Sequence, residues 1–455
     1  MGIWTIVTLA MGGFVGLFDF QNLLSWRRTL VLAPLTEPTE DFTIVIPLFG
    51  HPRYFAGRER VAHLQERILV AVEVSTEQMR VFADELEHEG WDVFRTVIDD
   101  PSPPKLVLAA LEADAVTTSV VMRLDADSSV GPELANAIAA AAEDGADLCS
   151  VKVLARNRTR NACTRFQALE YDMAMLSRHY RPWLVSGAGV VARTVMLREI
   201  LRRHSMSPIG EDIEMGRVAY AHRMRIRHLD VVVETDVPES WCALFRQRRN
   251  WWAGNFRHSI VNFDRNALQL PWWTLYNLAI VWVTLHLAVW RYPLYLLHPS
   301  VKVFAFLVLL ILVAAITTLI ANWQVRAPLM LVYPVYAMAQ STMILSVGAA
   351  WYLRLLERSR RLGRYRFGIR RERLRVGSWM RVLEIDLGPT RRTGPARYTY
   401  QWQVSRNGIT WTDIAGATRK RVAVPTPPEG ARFRALVTTT DVTGARSTYP
   451  LEVAG

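Results

Sequence analysis

Two carboxylates stand one residue apart at the end of an apolar run. Ser119–Asp125 is rich in β-branched residues and ends in Asp125, and Asp127 follows after one alanine. Such a run predicts a buried strand, and ligands of parallel sheets bind beyond the carboxyl ends of the strands. Two carboxylates there would bind Mg²⁺ or Mn²⁺ together with a diphosphate. The pair would equally suit a solvated loop or the N-cap of a helix predicted at Pro132–Glu143.

A second acidic cluster, Gly210–Glu214, precedes a helix predicted at Met215–Met224. The helix dipole favours acidic side chains at a helix start, which is a purely structural explanation of the cluster. The functional explanation is general-base catalysis, because a carboxylate within hydrogen-bond reach can take the proton of an attacking sugar hydroxyl.

A third segment, Gln247–Trp252, combines two arginines with two tryptophans. Arginine pairs with phosphate oxygens through a fixed fork of donors, and a tryptophan face can stack on a sugar ring. The alternative is that these side chains anchor the chain at a membrane surface, where both residue types are common.

The elements that position these residues form an α/β pattern between about Asp41 and Asp236. Short apolar runs alternate with helical segments, which predicts βαβ units and a parallel sheet. Strands are predicted at Thr43–Pro47, Ile68–Val74, Trp91–Ile98, Ser119–Asp125 and Asp147–Leu154, with helices at Glu59–Arg67, Glu77–His88, Lys105–Ala113 and Pro132–Glu143.

Four long stretches of this 455-residue chain carry no Asp, Glu, Lys or Arg, and a bilayer core needs about 20 apolar residues in a helix. We therefore expect a membrane protein, with an N-terminal transmembrane anchor at residues 1–28 and transmembrane helices at 266–353. A cleaved signal peptide is less favoured, because no basic n-region precedes the first stretch. The uncharged stretches are Met1–Phe18, Asn266–Trp290, Val303–Val325 and Ala327–Leu353.

The net charge of +12 is concentrated beside these stretches. Residues 241–265 mix basic and aromatic side chains, which predicts an amphipathic interface helix. Arg354–Arg381 holds eleven Arg against two Glu, so residues 354–394 are expected to be a basic juxtamembrane segment, with a helix across Arg354–Arg381 that touches anionic lipid. A solvated basic tail is the alternative. Nucleic-acid binding explains this distribution poorly. The three cysteines lie far apart in apolar surroundings, which excludes a disulfide scaffold and gives no zinc motif.

The last sixty residues change character and predict a small β-sandwich at 395–455. Asn407-Gly408 suits a hairpin turn. The phrases at Tyr400–Gln403, Trp411–Ile414 and Gly416–Thr418 resemble those of immunoglobulin-like modules. Strands are predicted at Tyr398–Val404, Arg421–Val424, Arg432–Thr440 and Ser447–Val453.

The order of the three motifs resembles that of membrane-integrated family 2 glycosyltransferases such as hyaluronan, chitin and cellulose synthases. That family begins with a strand ending in Pro, here Ile44–Pro47, and continues through Asp-x-Asp, an acidic pair and Gln-x-x-Arg-Trp to membrane helices. The resemblance covers about Asp41 to the end of the apolar stretches and implies a GT-A-type, Rossmann-like catalytic domain at 41–240.

The resemblance also implies roles for individual residues, named here by their numbers in this chain. One departure concerns the last motif, where Asn250 replaces the family's arginine; Arg248 or Arg249 would have to supply that charge, although helical neighbours point about 100° apart. The implied roles are donor-nucleotide binding for Pro47, Glu73, Lys105 and Asp125, metal binding for Asp127, proton abstraction for Asp212 with Glu211 beside it, and acceptor or diphosphate binding for Ser186, Gly187, Gln247, Arg248, Arg249, Asn250 and Trp251.

The implied function is an inverting membrane transferase that moves a sugar from a nucleotide diphosphate sugar, by resemblance a UDP-sugar, to a polysaccharide chain, with Mg²⁺ or Mn²⁺ as cofactor. We expect the inner cell membrane as its location, with a cytoplasmic catalytic domain. One alternative is a non-processive transferase that adds a sugar to a lipid carrier. A second is a membrane-anchored binding protein with a degenerate transferase domain, which Asn250 would favour.

Overall fold

The computed structural model divides the chain into two compact units, residues 1–352 and residues 353–455. It describes residues 10, 20–98, 101–204, 206, 210–261, 267–286, 297, 301–337, 340, 347–354, 368–374, 380–386, 397–405, 410–419, 421–425, 431–440 and 446–453.

The first unit is built on a nine-stranded mixed sheet in the order β1-β9-β7-β8-β5-β2-β3-β4, with β6 paired to β9. In this sheet β8 runs antiparallel to both of its neighbours, and β6 runs antiparallel to β9. The strands are β1 (Val31–Leu32), β2 (Phe42–Leu48), β3 (Ile68–Glu73), β4 (Asp92–Thr96), β5 (Val120–Leu124), β6 (Ser129–Val130), β7 (Leu148–Ala155), β8 (Gly189–Arg193) and β9 (Ile226–Thr235).

Helices cover the sheet and continue beyond it. The α-helices are α1 (Glu77–His88), α2 (Pro103–Glu112), α3 (Leu134–Asp144), α4 (Ala162–Arg178), α5 (Thr194–Arg203), α6 (Glu211–Ala221), α7 (Trp241–Val261), α8 (Pro271–His286) and α9 (Val301–Ala321). Short 3₁₀ helices lie at Phe20–Arg27, Pro52–Phe55, Arg58–Arg67 and Pro328–Leu331.

The central strands are apolar on both faces because both faces are covered. In β2, Ile44 and Ile46 pack into one hydrophobic cluster, whereas Val45 packs into the cluster on the opposite side. This alternation follows from the two-residue period of a strand and explains why the run shows no polar face. The α/β prediction is confirmed, and the five predicted strands lie within two residues of the observed ones at each end.

Sequence reasoning missed the strands β1, β6, β8 and β9 and the helices α4 and α5, and it misplaced the start of α6. The helix begins at Glu211 instead of Met215, so the acidic cluster forms its first turn. The helix expected at residues 59–67 is a 3₁₀ helix, Arg58–Arg67.

The membrane predictions at 1–28 and 266–353 are not confirmed. Among the residues that the structure describes, no helix combines the length and the apolar character needed to cross a bilayer. Parts of both predicted segments lie outside the described residues.

The second unit consists of two antiparallel sheets, β10-β11-β14 and β13-β12-β15-β16. Trp402 is fully buried and donates from Nε1 to the carbonyl of Arg419 at 2.9 Å, which organises the core of the four-stranded sheet. The four predicted strands are confirmed, and the Asn407-Gly408 turn lies outside the described residues. The strands are β10 (Gly368–Leu374), β11 (Met380–Asp386), β12 (Arg397–Ser405), β13 (Thr412–Asp413), β14 (Arg421–Pro425), β15 (Arg432–Thr440) and β16 (Arg446–Val453).

The prediction of a basic juxtamembrane helix across Arg354–Arg381 is wrong for its described C-terminal part. Residues 368–374 and 380–386 are paired strands. Arginine density alone carries no backbone preference strong enough to outweigh cross-strand pairing, since propensity is a weak prior.

Helix α6 packs so closely on the loop between α4 and β8 that only glycine fits at position 216. A Cβ at Gly216 would lie 1.8 Å from the carbonyl oxygen of Trp183. We expect Gly216→Ala to lower stability by about 3 kcal/mol, since overpacking at a rigid backbone contact cannot relax. Thermal unfolding would measure this loss. Gly145→Ala is the matched control: its φ is +68° but nothing lies within 4 Å of its Cβ, so a loss of only about 1 kcal/mol is expected. Equal losses in the two variants would contradict the packing argument.

Candidate active site

The end of β5 is held by a buried arginine. The Arg123 side chain is 1% exposed, and its Nη2 lies 3.0 Å from Asp125 Oδ1 and 3.0 Å from Glu211 Oε1. Burial alone would lower the pKa of Arg123, but these two carboxylates raise it overall, so the guanidinium stays charged. One internal cation therefore joins the end of a central strand to the start of α6.

Asp125 titrates near neutrality in this setting. The pKa of its carboxyl is raised to about 7: burial raises it most, the charges of Glu211 and Asp127 add to the shift, and Arg123 opposes it. Its backbone N–H donates to the carbonyl of Ala188 at 3.2 Å, which fixes the turn after β5.

Asp212 is fixed by two backbone donors. Gly187 N donates to Oδ2 at 3.0 Å, and Ile213 N donates to Oδ1 at 2.8 Å. Burial raises the pKa of Asp212, and the neighbouring charge of Glu211 adds to the shift. A carboxylate that holds its proton more tightly than usual is a better base when it is ionised.

Gly187 lies where these acidic groups converge. A Cβ built on it would stand 3.4 Å from Asp125 Oδ2, 3.5 Å from Glu211 Oε1 and 3.6 Å from Arg123 Nη2. Together with the hydrogen bond to Asp212, these distances place three carboxylates around one glycine. Ser186 precedes it and forms an isolated β-bridge with Gly189.

Asp127 is an exposed residue in the turn that follows β5. Ser128 Oγ lies 3.4 Å from its Oδ1, and Arg156 donates to its backbone carbonyl at 3.0 Å. Although Asp127 is exposed, desolvation by the surrounding loop raises the pKa of its carboxyl, and the charge of Asp236 adds to this. In the described part of the chain, no three His, Cys, Asp or Glu side chains gather into a complete metal shell.

The predicted donor-binding residues lie at different depths. Pro47 is buried within β2 opposite Ala71, one residue before the strand ends. Glu73 ends the parallel strand β3 and is buried, and its two oxygens accept hydrogen bonds from Ser75 N and Ser75 Oγ at 3.0 Å each. The Glu73 carboxylate therefore stabilises the turn that follows β3. Lys105 lies in the first turn of α2.

Helix α7 carries the aromatic motif and departs from the expectation for its arginines. Arg248 is buried, pairs with Glu170 at 2.8 Å and stacks with its Cζ 4.1 Å from the Trp251 ring centre. Arg249 stacks on Trp351 at 4.0 Å. The suggestion that Arg248 supplies the missing charge to a diphosphate is therefore corrected, because its guanidinium is engaged inside the protein.

The exposed members of the motif are Asn250 and Trp251, the latter 46% exposed, while Gln247 is half-buried. The close approach of α7 to the acidic helix depends on glycine: Gly210 has a φ of +68°, and a Cβ there would meet the Gly254 backbone at 3.1 Å. The motif is thus held near the start of α6.

Three residues of the site were missed by sequence reasoning. Tyr171 stacks on Trp251 with ring centres 6.5 Å apart, and burial raises its pKa to about 12. Burial lowers the pKa of Arg178 to about 10, and Asp212 opposes this shift. Arg123 had a visible signal, a lone charge inside an apolar strand, whereas the other two lie in an ordinary amphipathic helix.

Residues 120–341 match the family model described as "Glycosyl transferase family group 2". The protein is a glycosyltransferase. The matched stretch of this glycosyltransferase contains Asp125, Asp127, the acidic pair and the α7 motif.

The C-terminal unit gives a different result. Residues 384–451 match a domain of unknown function, described as DUF8696. The resemblance to immunoglobulin-like modules finds no support in this match. A search of curated proteins finds no relative of the glycosyltransferase.

Among solved structures, the glycosyltransferase is similar to TarS of S. aureus, with 14% identity, a TM-score of 0.33, and 91% of this chain and 77% of that chain covered. A TarS 1–349 structure in complex with UDP-GlcNAc covers 77% of this chain and 97% of that one, at 14% identity and a TM-score of 0.33. A mannose-1-phosphate geranyltransferase from Thermus thermophilus shows 15% identity and a TM-score of 0.26 over 44% of this chain and 75% of that one.

Proposed function

We propose that the protein is an inverting transferase that moves a sugar from a UDP-sugar to the hydroxyl of a saccharide acceptor. The observation that carries this proposal is the convergence of Asp125, Glu211 and Asp212 around Gly187. Donor sites of open α/β sheets lie at this strand edge, and a base must stand beside the reacting carbon.

The chemistry is a single displacement. Asp212 takes the proton of the acceptor hydroxyl, the hydroxyl oxygen forms a bond to the anomeric carbon, and the bond from that carbon to the diphosphate breaks, which releases UDP. The N–H groups of Gly187 and Ile213 hold the Asp212 carboxylate in position for the transfer. Trp251 and Tyr171 offer stacked aromatic rings that would orient the acceptor sugar, and orientation contributes much of the rate.

A divalent cation fits the residues at the end of β5. Asp127 offers one exposed carboxylate on the loop that follows β5. Mg²⁺ is usually bound by one or two carboxylates together with water and substrate phosphates, so a larger protein shell is not needed. When bound, the cation would neutralise charge on the departing diphosphate.

Removal of divalent cations should abolish most of the activity. We expect EDTA to lower UDP release by about 100-fold or more, since metal stabilisation of a leaving group is worth several kcal/mol. Added Mn²⁺ or Mg²⁺ should restore it in the wild type and not in Asp127→Asn. Full activity in EDTA-treated, cation-free protein would contradict the metal role of Asp127.

Donor binding should depend on pH through Asp125. Its pKa is about 7, so the carboxyl is neutral below this pH and ionised above it. If the carboxylate accepts hydrogen bonds from the nucleotide, UDP affinity rises as the pH increases through about 7. UDP titration of the wild type and of Asp125→Asn separates this effect from ionisation of UDP itself. If UDP affinity changes with pH in the same way in the two proteins, Asp125 does not contact the nucleotide.

We further propose that the enzyme works at the inner cell membrane with its catalytic unit in the cytoplasm. Large apolar side chains are exposed on several elements of the first unit, which is typical of a surface that meets a membrane or a partner. They include Trp26, Trp272, Leu312, Ile316 and Val332.

The acceptor is either a growing polysaccharide or a sugar on a lipid carrier, and product length separates the two. Membranes that contain the protein would be incubated with Mn²⁺ and a panel of labelled UDP-sugars. A ladder of products supports polysaccharide synthesis, and a single organic-soluble product supports the lipid carrier. Absence of labelled product and of UDP release with every donor would overturn the proposed function.

A further inference from the structure

A cavity lies away from the acidic site. It has a volume of 560 Å³ and is lined by the C-terminal end of α6, the start of β9, the loop after α4 and the start of α8. Asp212 stands at the opposite end of α6, and a helix of 11 residues is about 16 Å long. The cavity is therefore separate from the site where the sugar would be transferred.

The lining of this cavity is basic. Arg181, Arg225 and Arg227 line it, and no acidic residue stands among its described lining residues. Arg225 and Arg227 both pair with Asp144, at 2.7 and 3.1 Å, so two guanidiniums share one carboxylate. This arrangement fixes the guanidiniums and leaves positive charge at the cavity.

Aromatic rings hold the third arginine in place. The Arg181 Cζ lies 4.9 Å from the ring centre of Tyr180 and 5.3 Å from that of Trp273, and its Nη2 donates to the side-chain oxygen of Gln21. A guanidinium stacked in this way loses little freedom when it binds an anion. The cavity thus suits a phosphate with an apolar group attached.

An exposed apolar stripe begins at the mouth of the cavity. Trp272 lines the cavity and is 67% exposed, and Leu275, Leu278 and Trp282 follow it on α8 with substantial exposure. Their spacings of three, three and four residues place them on one side of the helix. Helix α8 contains no Asp, Glu, Lys or Arg.

We propose that this cavity binds the phosphate headgroup of an anionic lipid, whose acyl chains lie along the α8 stripe. Charge complementarity at one end and the continuous apolar stripe at the other specify an amphiphile with one phosphate. The binding site would set the height and orientation of the catalytic unit on the membrane. It does not depend on the identity of the donor sugar or on Asp212.

The experiment measures binding to the full-length protein in a neutral detergent. The probes are dihexanoyl phosphatidylglycerol, dihexanoyl phosphatidylcholine and inorganic phosphate, each titrated by thermophoresis. We expect the phosphatidylglycerol to bind at least about tenfold more tightly than either of the others, because only it combines net charge with acyl chains.

Variants test the residues. Arg181→Gln and Arg225→Gln should each weaken phosphatidylglycerol binding about fivefold, the usual effect of one basic residue near an anionic lipid. Trp272→Ala should weaken binding of the lipid but not of inorganic phosphate. Arg80→Gln, on the exposed face of α1, is the matched control and should change nothing. Arg181→Lys keeps the charge but loses the planar group that stacks on the two rings, so it should retain part of the affinity, which guards against misfolding as the explanation.

Three outcomes would overturn the proposal. Equal affinity for inorganic phosphate and phosphatidylglycerol would make this a soluble-anion site. Equal affinity for the two lipids would show that the arginines do not recognise the negative charge of the headgroup. Unchanged binding in Arg181→Gln and Arg225→Gln would place the lipid elsewhere. UDP release by the same variants is measured in parallel, so loss of lipid binding with intact turnover is distinct from a failure of the transferase function.

Discussion

Asp212→Asn is expected to lower the rate of sugar transfer by about 10²- to 10⁴-fold, the usual contribution of a positioned general base. The amide retains nearly the same shape, but its single oxygen can accept from only one of the two donors Gly187 N and Ile213 N, and it cannot take a proton from the acceptor hydroxyl. UDP affinity should stay within about twofold of wild type, because the base contacts the acceptor and not the nucleotide.

The measurement combines UDP release with UDP titration on the same preparation. Glu211→Gln is the informative neighbour: its carboxylate pairs with Arg123, so its loss should weaken donor binding more than Asp212→Asn does. Asp84→Asn, on exposed α1, serves as the control for loss of a carboxylate. Wild-type turnover in Asp212→Asn would show that another group takes the proton.

Arg123→Met is expected to have the second-largest effect. It leaves the carboxylates of Asp125 and Glu211 without their shared cation, and because the Asp125 side chain is 36% exposed, the cost falls below the ~3–5 kcal/mol of breaking a fully buried pair. The pKa of Asp125 should rise further above its already raised value, because the one group that opposes the shift has gone. UDP binding should weaken, and its pH midpoint should move to higher pH.

The pH midpoint separates a positioning role from a merely structural one. General destabilisation would lower the melting temperature without moving the titration of Asp125. Arg123→Lys keeps the charge but loses the fork that reaches two carboxylates, so it should restore the midpoint only in part. Arg95→Met removes two surface ion pairs, with Asp84 and Glu87, and should affect neither quantity. An unchanged UDP pH profile in Arg123→Met would refute the role given to this cation.

Much of the α/β sheet could be predicted because its central strands are buried on both faces. A run such as Thr43–Pro47 has no polar face, so it is stable as a strand only where both faces of the sheet are covered. The five parallel strands that were predicted are observed. Strand β8 escaped because its antiparallel direction depends on pairing with β5 and β7, which no local pattern encodes.

The acidic residues of the site were named from the sequence, but their environment was not. Motif spacing singles out Asp125 and Asp212, whereas the convergence at Gly187 depends on how α6 meets β5 in space. The engagement of Arg248 by Glu170 is also a tertiary fact, because these residues lie 78 positions apart. The helix predicted across Arg354–Arg381 was wrong in its described part because a high arginine content says little about backbone conformation.

The most direct test of the account is an experimental structure of the full-length protein with UDP and Mn²⁺. We predict that the nucleotide lies over Gly187 between Asp125 and Glu211, with the cation between Asp127 and the diphosphate. Density for UDP in any other place, including the arginine-lined cavity at the far end of α6, would contradict the claim that these carboxylates form the sugar-transfer site.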